Sequence, residues 1–141
     1  MKREVDARPV AGCCFRVELA DGNGRSVEIA CSEVLFPALS ARPDTGEAQA
    51  DEHLVLRRAT SADSALQDWW QKACRGRAPQ RRTVRVMLLA PDQQRVVKRW
   101  RFRNARPLTL HYTPLNAMDS ALVMESLAIG FDGVEIDQPD V

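Results

Sequence analysis

Cys13, Phe15, Val17 and Leu19 alternate with other residues, and after Asp21-Gly22-Asn23-Gly24 the alternation resumes at Val27, Ile29 and Cys31. A period of two on both sides of a glycine-rich turn predicts a β-hairpin. Between residues 36 and 52 no apolar period survives: Pro37, Pro43 and Gly46 stand among small and acidic residues, which predicts a long exposed loop. His53-Leu54-Val55-Leu56 reads as a strand. Thr60-Ser61-Ala62-Asp63 then offers hydroxyls and a carboxylate to a helix N-terminus. Leu66, Trp69, Trp70 and Ala73 recur at helical spacing, and Arg75-Gly76 supplies a cation and a glycine for the C-terminal end.

The remainder returns to period two. Val84, Val86 and Leu88 form one arm of a hairpin, Pro91-Asp92-Gln93-Gln94 its turn, and Val96 to Phe102 the second arm. Leu108, Leu110 and Tyr112 continue the β pattern. A final strand is expected from Ala121 to Phe131, with Val123, Leu127, Ile129 and Phe131 on one face and Glu125 interrupting it. Six or seven strands and one helix make the chain mainly β, of α+β type. The expected fold is a small antiparallel β-barrel or sandwich with the helix packed against one side or end.

At 141 residues and 45% apolar content, the chain suits one domain over residues 1–141, with a flexible N-terminal segment at 1–12. Its formal charge of +1 supplies no bulk field for nucleic acid or anionic lipid. Neither an apolar signal core nor a membrane-length apolar run is present, so the chain is expected to be made and kept in the cytosol. Cys13, Cys14, Cys31 and Cys74 lack zinc spacing and are read as small buried apolar residues. His53 and His111 stand in no Ser, Cys or Asp constellation, and no phosphate-binding, dinucleotide-binding, hydrolase or metalloprotease motif occurs. No catalytic residue, metal or cofactor is therefore assigned, and the chain is expected not to be an enzyme.

Four blocks in order resemble the gp19-type phage tail tube family, which includes the tubes of extracellular contractile injection systems. They are Phe15 to Leu19 followed by Cys31-Ser32-Glu33-Val34; Leu54 to Trp69; Arg81 to Leu89 continuing through Arg99-Trp100-Arg101-Phe102-Arg103-Asn104-Ala105-Arg106-Pro107; and Leu115-Asn116-Ala117 followed by Glu125 to Ile129. The resemblance implies a structural subunit of the inner tube of a contractile particle, assembled in bacterial cytoplasm. It implies hexameric rings that stack around a lumen. The implied partners are other copies of the chain, the sheath, the baseplate or tube initiator, the tube terminator, and the tape measure or lumen cargo, with no membrane and no specific nucleic acid. The segment Leu39 to Glu52 differs from the family's basic, aromatic ring-stacking extension in being acidic, Pro-containing and free of aromatics. That difference favours a tube initiator or baseplate adaptor as the alternative.

Candidate residues follow. Arg99, Arg101 and Arg103 alternate with Trp100 and Phe102, so a strand here has one basic and one apolar face. With Arg57 and Arg58, these arginines are candidates for facing the lumen or sheath; the competing reading is ordinary cross-strand pairing with acids such as Glu125 and Glu135. Leu39, Arg42, Asp44, Glu47 and Glu52 are ring-contact loop candidates. Leu66, Trp69 and Trp70 belong to the core or a subunit contact, with one tryptophan inside and the other at the margin. A remote alternative is a nucleic-acid-binding β-barrel using Arg95 to Arg106. Alternation argues against it, because it puts the aromatics on the face opposite the cations.

Overall fold

The computed structural model describes residues 8–40, 53–76 and 81–139. Eight strands and one helix follow in the order β1 (Phe15–Ala20), β2 (Ser26–Ile29), β3 (Glu33–Leu35), β4 (Leu54–Ala59), α1 (Ala65–Arg75), β5 (Arg82–Leu89), β6 (Val96–Tyr112), β7 (Met124–Gly130) and β8 (Gly133–Asp137). All pairings are antiparallel. The path runs β2-β1-β5-β6-β7-β4-β3, with β8 added beside β6. The ends of this path, β2 and β3, do not pair, so the sheet wraps around the core without closing.

Turn chemistry sets the first hairpin as the sequence predicts. The Asp21 carboxylate accepts from the backbone N–H groups of Asn23 (2.9 Å) and Arg25 (3.1 Å), and Gly24 takes φ +80. Asp92 does the same for Gln94 and Arg95 in the β5–β6 turn, where Gln93 sits at φ +61.

The long strand β6 organises the molecule. Its first half pairs with β5 on one side and β8 on the other, and its second half pairs with β7. The β7 and β8 pairings continue one register: Arg103 faces Gly133, and three residues further along each strand Arg106 faces Gly130. The result is a two-stranded ribbon bent at its middle. Asn104 absorbs the bend at φ +51, a conformation that asparagine tolerates better than most residues. Opposite it, Asp132 donates its backbone N–H to the Arg103 carbonyl (3.0 Å). The Asp132 carboxylate accepts from Arg106 (3.0 Å) and Arg81 (3.3 Å). Two segments that sequence periodicity separates, 96–102 and 108–112, are thus one bent strand, because no glycine or turn closes between them.

The core collects the inward-facing residues of both halves, among them Val17, Leu19, Leu54, Leu56, Val84, Phe102, Leu127 and Ile129. Phe102 meets Phe131 edge-on at 4.9 Å. Helix α1 contributes Leu66 and Trp69, both fully buried, and the Arg82 guanidinium lies 5.6 Å from the Trp69 ring centre. The Asp63 carboxylate accepts from the Ala65 N–H (3.0 Å), but the N-cap itself is Ser64, whose hydroxyl turns to Asp68 instead.

Several expectations need correction. Gly76 ends the helix in an extended conformation (φ −70), not as a left-handed cap. The last long strand starts at Met124, and a further strand, β8, follows it. Cys13 and Cys74 are exposed and Cys14 and Cys31 only partly covered, because Cys13 lies in the turn before β1 and Cys74 on the outer side of α1. Cys31 is the most enclosed of the titrating thiols, and burial pushes it up to about 12.

Candidate assembly surfaces

The outward face of β2, β1, β5, β6 and β8 is a ladder of paired charges. Strand alternation brings Arg16, Glu18, Arg85, Arg99, Arg101, Arg103, Glu135 and Asp137 to this side, since Val17, Val84, Val86 and Phe102 face the core. Register then sets acid beside base. Arg16 reaches Glu28 (3.6 Å), Arg85 reaches Glu18 (3.2 Å), and Arg101 and Arg103 both approach Glu135 (3.6 and 3.5 Å). Arg99 grips Asp137 through two nitrogens, one at 3.0 Å, and this hydrogen bonding holds the Asp137 carboxyl below its usual range. Arg99, Arg101 and Arg103 therefore face outward with their charge compensated by β8, the strand that periodicity does not reveal.

The outward face of β3, β4, β7 and the second half of β6 is different in kind. Val55, Ala128, Leu108 and Leu35 stand on it beside Ser126, Thr109 and His111, and Arg57 pairs with Glu33 at 3.8 Å. Leu35 and Leu108 are 44% and 42% exposed.

Arg58 faces neither surface. It continues the inward series Leu54, Leu56 and lies opposite Glu125, which continues the inward series Leu127, Ile129. Both are 3% exposed and joined Nε to Oε1 at 2.8 Å, and a second Arg58 nitrogen reaches Asp63 at 3.0 Å. This is a correction to the outward placement expected of Arg58, and its cause is parity along β4. Burial works against the guanidinium charge, but the Glu125 and Asp63 carboxylates outweigh it and raise the Arg58 pKa. Burial and the neighbouring Glu125 push Tyr112 up in turn.

Trp69 is fully enclosed, while Trp70 packs at the core margin. Leu39 is 43% exposed; Arg42, Asp44, Glu47 and Glu52 lie outside the described residues. Four strand edges are free among the described residues: β2, β3, β8, and the side of Arg106–Tyr112 away from β7. No group of three or more potential metal ligands occurs among those residues. No described helix is long and apolar enough to cross a membrane.

The family model for the T4-like virus tail tube protein gp19 matches residues 43–135. The chain belongs to this family. Solved structures extend the likeness over nearly its whole length. A chain of the anti-feeding prophage baseplate superposes with a TM-score of 0.73 at 17% identity, covering 96% of this chain and 100% of that one. A chain of the PVC extracellular contractile injection system sheath–tube complex in the extended state gives 0.74 at 16% identity, covering 94% and 93%. Hcp1 from Flavobacterium johnsoniae gives 0.58 at 10% identity, covering 87% and 95%. No curated protein matches in sequence. The shared fold is mainly antiparallel β with one helix, and in this chain the sheet is not closed.

Proposed function

We propose that this tail tube family chain works as a ring-forming structural subunit of the inner tube of a contractile injection particle, with no catalytic role. The observation that carries the reading is the family match over 43–135 in a fold whose sheet ends, among the described residues, at β2, β3, β8 and the second half of β6 without partners. Free edges invite further pairing, and a closed ring of subunits satisfies them without unlimited growth. Six copies per ring, rings stacked around a lumen, and contact with sheath, baseplate and terminator are parts of the same proposal. The relatives in the baseplate and in the sheath–tube complex support those partners. A tube initiator or baseplate adaptor is the second reading, favoured by the acidic, aromatic-free stretch from Leu39 to Glu52. Mass measurement of the purified chain across a concentration series separates the two. A hexamer growing into multiples of six supports the main tube subunit, whereas a species that assembles only with a co-expressed baseplate partner supports the adaptor.

A further inference from the structure

Tyr112 and Met124 are joined by a loop whose own polar groups hold it in shape. Thr113 bonds Met124 through both backbone (3.0 Å) and hydroxyl (2.8 Å). The Asn116 side chain accepts from Met118 N–H (2.9 Å), and the Asp119 carboxylate from Ala121 N–H (2.8 Å). While the Asn116 and Asp119 side chains engage the loop's own backbone, the apolar side chains are displayed: Leu115 is 84% exposed, Met118 93% and Leu122 73%. Three such side chains on one ordered loop form a patch on the order of a few hundred Å², the size that marks an interaction site on an ordinary monomer.

The same chain carries a matching hollow. Phe15, Val34, Phe36, Val86, Leu88 and Trp100 line an apolar groove of about 290 Å³. A cavity of about 150 Å³ accepts a benzene ring, so this open groove has room for more than one side chain of leucine or methionine size. Glu33, the one charged residue lining the groove, is already paired with Arg57 at 3.8 Å. Lys98 lies on the same strand face as Trp100, opposite Leu88, and has no acidic partner among the described residues. Asp119, the only charged residue of the loop, likewise has no cationic partner there. Groove and loop belong to opposite ends of β6. Leu115, Met118 and Leu122 stand exposed and so fill no hollow of their own chain, and a knob and a hole that do not meet within one chain generate head-to-tail contacts between copies.

We propose that the 113–123 loop of one subunit seats Leu115, Met118 and Leu122 in the Phe36–Trp100 groove of the next copy, with Asp119 meeting Lys98. The inference rests on the tube-subunit reading and adds a specific contact to it. The test places a photoreactive benzoylphenylalanine at Met118 in the full-length chain, irradiates the assembled material, and maps the adduct by peptide mass spectrometry. The expected product joins two chains, with the crosslink at residues 12–15, 33–36 or 86–100. Met118→Asp should raise the concentration needed for assembly about tenfold or more. Asp119→Lys should weaken assembly, and adding Lys98→Asp should restore it. A crosslink elsewhere, or within one chain, overturns the proposal, as does normal assembly of Met118→Asp; in each case the tube reading stands. Failure of the wild-type chain to assemble at any concentration, with a baseplate partner present, removes both.

Discussion

Removing Glu125 tests the most unusual feature of the interior. Its carboxylate and the Arg58 guanidinium are each 3% exposed and meet at 2.8 Å, in strands otherwise filled by Leu54, Leu56, Leu127 and Ile129. Deleting one member of a buried pair leaves the other charge stranded, at about 3–5 kcal/mol. Glu125→Ala should fall near the lower end, about 3 kcal/mol, because Asp63 still holds Arg58 at 3.0 Å. Arg58→Ala should reach the upper end, about 5 kcal/mol, since Glu125 then loses its guanidinium partner in an apolar surrounding. The paired replacement Arg58→Met with Glu125→Leu should return stability to within about 1 kcal/mol of wild type or above it, because desolvation of two ions offsets most of their attraction. Urea unfolding followed by tryptophan fluorescence reads all three, with Trp69 reporting from the core. A Glu125→Ala cost below about 1 kcal/mol, or a double variant no better than either single one, would refute this balance of charge against burial.

Other outcomes follow from the same geometry. Phe102→Ala empties a fully enclosed site packed against Phe131 and should destabilise the chain by about 3–5 kcal/mol in the same unfolding assay. At the ribbon bend, Asn104→Gly should be nearly neutral, whereas Asn104→Val should cost about 1–2 kcal/mol or more, because a branched residue resists φ +51. Asp132 is held below its ordinary pKa by hydrogen bonding to Arg106, and Asp63 by the Ala65 N–H and Arg58. A depressed carboxylate contributes stability above its unfolded value, about 3.9, and loses it as pH falls through the folded value. Thermal unfolding should therefore be level between pH 5 and 7 and decline below about 4; a decline already complete by pH 5 would contradict the assignment.

Most strands were legible because each half-buried one keeps a period of two: Val84, Val86 and Phe102 announce their facing without any structure. Helix α1 was legible from Leu66, Trp69 and Trp70. The Arg58–Glu125 pair was partly visible, for Glu125 interrupts an apolar face and Arg58 extends the parity of Leu54 and Leu56, but only cross-strand register joins residues 67 apart. Strand β8 was not visible: Gly133 to Asp137 is short and largely exposed, held by pairing with β6 more than by its own side chains. The sequence alone left open whether Arg99, Arg101 and Arg103 face a partner or pair across the sheet with acids such as Glu135, and β8 brings Glu135 and Asp137 alongside them. The exposed Leu115, Met118 and Leu122 were obscure for a related reason, since apolar residues suggest burial until Asn116 and Asp119 are recognised as turn-forming residues that keep the backbone out of a ladder.

Electron microscopy of the purified full-length chain, negatively stained over a rising concentration series with and without its baseplate partner, tests the central claim most directly. The tube-subunit account predicts six-fold rings that stack into tubes of uniform bore. Particles that stay single at every concentration, with the partner present, would contradict it.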